Sequence, residues 1–142
     1  MERRQFIRSS CNLCLLTASG FLLSELVACN PAYQLIKTEV VNDTIQIPLF
    51  SFNQPGLKLV RPNGWAWDIA VYKNAGGYEA ILMKCTHQNN QLILTGNGFV
   101  CDLQGSNFNL EGIVTKGLAE LPLKKFPVDL VLDNLIIYLK SS

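Results

Sequence analysis

The chain has 142 residues, enough for one domain with or without a tail. Apolar residues make up 49% of it and charged residues 16%, so a packed core is within reach and a disordered chain is excluded. The formal charge is +1 with no basic stripe, which argues against nucleic acid as a partner.

In chain order, residues 1–28 read as an export signal. Arg3, Arg4 and Arg8 form a basic start, and an apolar stretch from about Cys11 to Leu23 follows. Thirteen residues are short for a bilayer span, which needs about 20. Arg3-Arg4-Gln5-Phe6-Ile7-Arg8 resembles the twin-arginine export motif of bacteria. Leu26-Val27-Ala28-Cys29 resembles a bacterial lipobox, which implies cleavage before Cys29 and lipid on its sulfur. The expected location is therefore the bacterial cell envelope, with the domain attached to a membrane through lipid. The first 28 residues hold three Arg and two Glu of the chain's 12 basic and 11 acidic residues. The remainder has nine of each, so attachment would rest on lipid and not on charge.

Residues 29–43 read as a tether, and 44–142 as the folded domain. Thr44-Ile45-Gln46-Ile47 alternates and stops at Pro48, and Leu57–Val60 ends before Pro62. Trp65–Tyr72 is aromatic and β-branched, predicting a strand with Trp65 and Trp67 on one face. Asn74-Ala75-Gly76-Gly77 predicts a turn, and Tyr78–Met83 the return strand of a hairpin. Phe99–Cys101 and the region around Phe108 predict short strands among Gly96, Gly98, Gly105 and Gly112. Asn134–Leu139 closes the domain. No stretch of 10–12 residues after the signal has helical periodicity. Short strands with frequent glycine turns predict an all-β sandwich or barrel.

Chemistry concentrates in Lys84–Phe108. Cys11 and Cys14 lie in the signal and Cys29 is assigned to lipid, so Cys85 and Cys101 alone remain for a bridge or a site. His87 is the only histidine. Cys85-x-His87 and Cys101-x-x-Gln104 lie on two loops at strand ends, and two such loops can clamp a metal between their tips. Thiolates take iron with sulfide, or zinc, and imidazole takes either.

Several motifs together resemble a Rieske-type [2Fe–2S] domain. YEAILMKCTHQ resembles the strand and first cluster loop of that family. CDLQGSNFNLEG resembles the second loop, with Cys101, Gly105, Ser106, Phe108 and Gly112 in step. GLAELPLKKFPV and NLIIYL resemble the closing segment. The resemblance covers roughly residues 44–140. It implies stacked antiparallel sheets with a small subdomain for the cluster. It implies Cys85 and Cys101 as ligands of one iron, His87 of the other, and a Ser106 hydroxyl directed at sulfide. It also implies a redox partner protein in the envelope, meeting the His87 side of the loops.

The sequence departs from the family at a ligand. Position 104 is glutamine where the second histidine is due, and only 13 residues separate His87 from Cys101, fewer than usual. The amide oxygen of Gln104 is neutral and a poor ligand for such an iron. Phe108 stands where high-potential members carry tyrosine. Three readings stay open at this point. The first is an electron carrier with Gln104, water or a partner residue as weak fourth ligand. The second is a Rieske fold without a cluster, serving as a binding or structural module, with Cys85 and Cys101 as a disulfide or free thiols. The third is a mononuclear zinc site on Cys85, His87, Cys101 and water. An enzyme in its own right is not expected, because the 114 residues from Cys29 onward leave no room for a second catalytic domain.

Overall fold

A computed structural model describes residues 33–140. Twelve strands follow one another: β1 (Leu35–Thr38), β2 (Thr44–Pro48), β3 (Lys58–Pro62), β4 (Ile69–Asn74), β5 (Gly77–Leu82), β6 (Ile93–Thr95), β7 (Gly98–Val100), β8 (Asn107–Asn109), β9 (Val114–Lys116), β10 (Lys125–Phe126), β11 (Val128–Val131) and β12 (Asn134–Tyr138). The helical element among these residues is a single 3-10 turn, Leu49–Phe52. No helix among the described residues is long and apolar enough to cross a membrane.

The strands form three sheets, β1-β3-β4-β5-β10, β11-β12-β2 and β6-β7-β8-β9. Side-chain alternation explains how they stack. In β4, Ile69 and Val71 enter one core cluster while Ala70 enters a second. In β5, Ala80 and Leu82 face the first cluster, while Ile81, with Met83 just beyond the strand, faces the second. The five-stranded sheet is thus the middle layer, buried on both faces. At its centre Ile69–Val71 and Ala80–Leu82 read as unbroken apolar runs, because period-two patterning shows only where one face is wet.

On one side, Ile45 and Ile47 of β2 and Leu135 and Ile137 of β12 complete the first core. On the other, Phe99 of β7 and Phe108 of β8 complete the second. Each such side chain, fully buried, contributes roughly 1.5–3 kcal/mol.

Two expectations need correction. The aromatic run from Trp65 becomes strand only at Ile69. Gly64 at φ +79 and a Trp65 N–H bond to Pro62 O (3.2 Å) turn the chain after β3. Trp65 packs edge-on against Phe126 and the Trp67 indole N–H donates to Asn89 O at 2.7 Å; both rings pack against the first core, from a turn and not from a strand. The second correction concerns residues read as tether. Leu35–Thr38 pairs with Leu59–Pro62 of β3, in parallel, and forms an edge of the middle sheet. Parallel pairing also departs from the otherwise antiparallel expectation. In the closing segment, Lys125 and Phe126 form β10.

Lys125 anchors a polar group on the middle sheet. Its Nζ lies 2.8 Å from Glu79 Oε2, and Asn74 Nδ2 donates to Glu79 Oε1 at 2.6 Å. The Tyr72 hydroxyl lies 3.0 Å from Glu79 Oε2 and 2.9 Å from Leu110 O. The Lys125 hydrogen bond, helped by Tyr72 and Asn74, holds the Glu79 carboxyl below its ordinary value against the opposing effect of partial burial. Burial, then the Glu79 bond, pushes the Tyr72 phenol well above its own. A carboxylate with a depressed folded value stabilises the fold above its unfolded value, near 4.3, and loses that contribution as pH falls through the folded value. Glu79→Gln should therefore lower the urea midpoint at pH 7, and the gap to the parent should close as pH is lowered through about 4. A gap of equal size at pH 7 and pH 3 would assign the effect to packing instead.

Candidate metal centre

Cys85 and Cys101 begin two loops with the same backbone hydrogen bonds. Cys85 N–H donates to Asn90 O (2.8 Å) and Asn89 N–H to Cys85 O (2.9 Å). Cys101 N–H donates to Ser106 O (2.8 Å) and Gly105 N–H to Cys101 O (2.8 Å). The fifth residue of each loop is left-handed, Asn89 at φ +60 and Gly105 at φ +68. Asparagine and glycine are the residues that adopt this conformation most readily. The two loops are therefore geometric counterparts, placed at the ends of β5 and β7.

A third loop, Gly117–Leu121, closes on the other two. Ala119 N–H donates to Ser106 Oγ at 3.2 Å, and Thr86 Oγ1 donates to Leu121 O at 2.8 Å. Gly117, at φ +101, lets this backbone approach; a Cβ there would stand 2.5 Å from Ser106 Cα. Gln104 Nε2 donates to Gln88 Oε1 at 2.8 Å, tying the second loop to the first.

The structure places the candidate residues as follows. Cys85 and Cys101 are free thiols, both fully buried in the second core cluster. His87 is exposed, and Gln104 is half-buried with its amide on Gln88. Ser106 is fully buried and accepts a bond, which leaves its hydroxyl a proton to give. Phe108 is buried in the core, and Gly105 is exposed at its turn. Cys29 lies outside the described residues. Among those residues, no group of three or more His, Cys, Asp or Glu side chains stands together as a metal set.

By residue type the expected set offers two thiols and one imidazole, and among the described residues these three do not gather into one metal set. Two soft donors sit in apolar surroundings and one imidazole faces solvent, a suitable division for a cluster at the surface. At position 104 an amide stands in place of an imidazole and is already engaged. Gln88, which engages it, was not among the residues singled out from sequence. The pattern that marks it is a repeat, Cys85-x-x-Gln88 and Cys101-x-x-Gln104.

No family model and no curated protein matches the sequence. Solved structures do match. A chain of the complex of reduced oxygenase and oxidized ferredoxin in carbazole 1,9a-dioxygenase is 23% identical, with TM-score 0.51, over 72% of this chain and 98% of that one. A chain from a complex of ferredoxin with a carbazole-bound variant of that oxygenase is 17% identical, with TM-score 0.52, over 71% of this chain and 29% of that one. The plasma membrane Rieske protein PetC3 from the cyanobacterium Synechocystis PCC 6803 is 27% identical, with TM-score 0.44, over 49% of this chain and 75% of that one. The likeness to the two carbazole 1,9a-dioxygenase chains, with the three stacked sheets, shows the fold of the domain, a Rieske-type fold.

Proposed function

We propose that this chain is a Rieske-family electron-transfer domain of the bacterial cell envelope, with an incomplete ligand set and a lipid tether on Cys29. The observation that carries this reading is the pair of buried thiols on counterpart loops, with His87 on the exposed side. A [2Fe–2S] cluster, when bound, would supply reversible one-electron transfer. Cys85, His87 and Cys101 would hold it, with Gln104 or water as weak fourth ligand. Ser106 would give its remaining hydroxyl proton to sulfur, which stabilises added negative charge. The apolar surroundings of Cys85 and Cys101 exclude water from the thiolate side. The partner would be a redox protein of the same compartment, meeting the face that bears His87.

A second reading has its own observation. The Gln104–Gln88 bond closes the two loops on each other, as a module without a cluster would require, with Cys85 and Cys101 as thiols or a disulfide. A zinc ion on Cys85, His87 and Cys101 is the third.

Iron, acid-labile sulfide and zinc, measured on anaerobically reconstituted protein with absorption and EPR spectra, separate the three. Iron and sulfide in equal amounts, with a spectrum bleached by dithionite, are expected. Stoichiometric zinc would favour the mononuclear site. A metal-free protein with Cys85 and Cys101 linked, or both open to alkylation, would favour the binding module.

A further inference from the structure

Strand register sorts the domain into two ends. Leu35, at the start of β1, lies beside Leu59 near the start of β3. Lys58 pairs with Val71, and Asn74 pairs with Gly77 across the β4–β5 turn. The start of β1, the start of β3 and the β4–β5 turn therefore share one end of the middle sheet. The 3-10 turn joins them there, because Phe52 meets Tyr78 edge-on at 5.3 Å. The β11–β12 turn follows, since Pro48 pairs with Asn134 and Leu49 N–H donates to Asp133 O. The loops of Cys85 and Cys101 lie at the other end. From Gly77 to Cys85 the chain runs about 26 Å at strand spacing.

The first end is apolar and concave. A cavity of about 500 Å³ opens there, lined by Phe52, Leu57, Tyr72, Tyr78 and Leu110 among others. Phe50 of the 3-10 turn and Leu132 of the β11–β12 turn, at 72% and 92%, are exposed at this end. The charged groups at this end are Lys73 over the Tyr78 ring, Glu111 facing Tyr72, Glu79 paired with Lys125, Lys58 buried at the start of β3, and Asp133 exposed in the β11–β12 turn. Such a surface gains little from anionic partners and much from leaving water.

Chain length indicates what covers it. Between Cys29 and Tyr33, the first described residue, stand Asn30, Pro31 and Ala32. Fully extended, the chain from Cys29 to Leu35 reaches at most about 20 Å. Lipid on Cys29 would thus hold the start of β1, and the apolar end with it, within that distance of a bilayer.

We infer that the end of the domain formed by Phe50, Phe52, Tyr78, Leu110 and Leu132 rests on the phospholipid surface, and that the Cys85 and Cys101 loops face away from it. The inference rests on the lipid tether proposed above. Aromatic rings with a polar atom suit the headgroup level, and a lipid anchor gains from a second contact with the membrane.

The test uses the full chain, made in a bacterium that processes lipoproteins. It is reconstituted into phosphatidylcholine vesicles containing a fraction of diazirine-bearing phosphatidylcholine. After illumination, labelled residues are mapped by mass spectrometry, and the intact mass reports lipid on Cys29. Peptides with Phe50, Leu110 and Leu132 should carry at least about ten-fold more label than those with Leu103, Leu118 and Leu121, since a surface-bound face enters only about 5–10 Å of the bilayer. A lipidated protein labelled at Leu103, Leu118 and Leu121 instead would overturn the orientation and leave the anchor standing. A lipidated dimer with both ends unlabelled would give the apolar end to a second copy and also overturn it. An intact mass without lipid on Cys29 would remove the anchor and the orientation together.

Discussion

Gly98→Ala is expected to cost on the order of 3–5 kcal/mol, combining backbone strain with overpacking. Gly98 is buried in β7 at φ +152, opposite Asn109 of β8. A Cβ there would stand 2.0 Å from Phe108 O and 2.9 Å from Asn109 Cα. Both obstacles are backbone, so no rotamer change relieves them. The alternative is to part β7 from β8, which separates Phe99 from Phe108 and opens the second core. Against a total stability of about 5–15 kcal/mol, that loss is large. Gly96→Ala is the internal control, because nothing lies within 4 Å of its Cβ position. It should fall within about 0.5 kcal/mol of the parent. Urea unfolding followed by tryptophan fluorescence compares the two. Equal midpoints for the two variants would mean that the β7–β8 contact relaxes at no cost.

Gln104→His is expected to raise cluster occupancy after reconstitution at least ten-fold. Loss of even an outer-shell partner typically costs 10–100-fold in metal affinity or activity, and loss of a ligand should cost no less. The substitution restores an imidazole at the one position where the donor set falls short. It also removes the amide that donates to Gln88 Oε1, which frees the first loop. Gln88→Ala separates these effects, since it frees the loops and adds no ligand. Iron retained through gel filtration is the readout. Equal retention in parent and Gln104→His would mean that the fourth position does not limit binding. Equal gains from both variants would place the limit in the loop closure.

Much of the core was legible in the sequence. Ile45 and Ile47 alternate with Gln46, and Asn74–Gly77 marks the hairpin turn where β4 gives way to β5. Phe99 and Asn134–Tyr138 also fall on strands as expected. The edges were not legible. β1 is made by pairing with a strand more than twenty residues away, and its own sequence, Leu-Ile-Lys-Thr, announces no partner. β9 and β11 expose much of their surface and carry little alternation. Trp65 and Trp67 imitate a strand because aromatic spacing is blind to the turn that Gly64 imposes. In the site, the two cysteine loops could be located from their motifs. The Gln104–Gln88 bond could not, because the absence of an expected histidine draws attention to one glutamine and away from its counterpart.

If Cys29 carries the lipid proposed above, a pull on that anchor would enter the domain through β1. That strand runs parallel to β3, with Leu35 first and Thr38 last. Tension applied at Leu35 along the strand axis loads its hydrogen bonds side by side, in shear, so they must yield together. A hairpin pulled apart from its open end yields one bond at a time. Four residues of edge strand thus act as a mechanical clamp. With the proposed lipid in place, they would isolate the loops at the far end of the sheet from lateral drag on it.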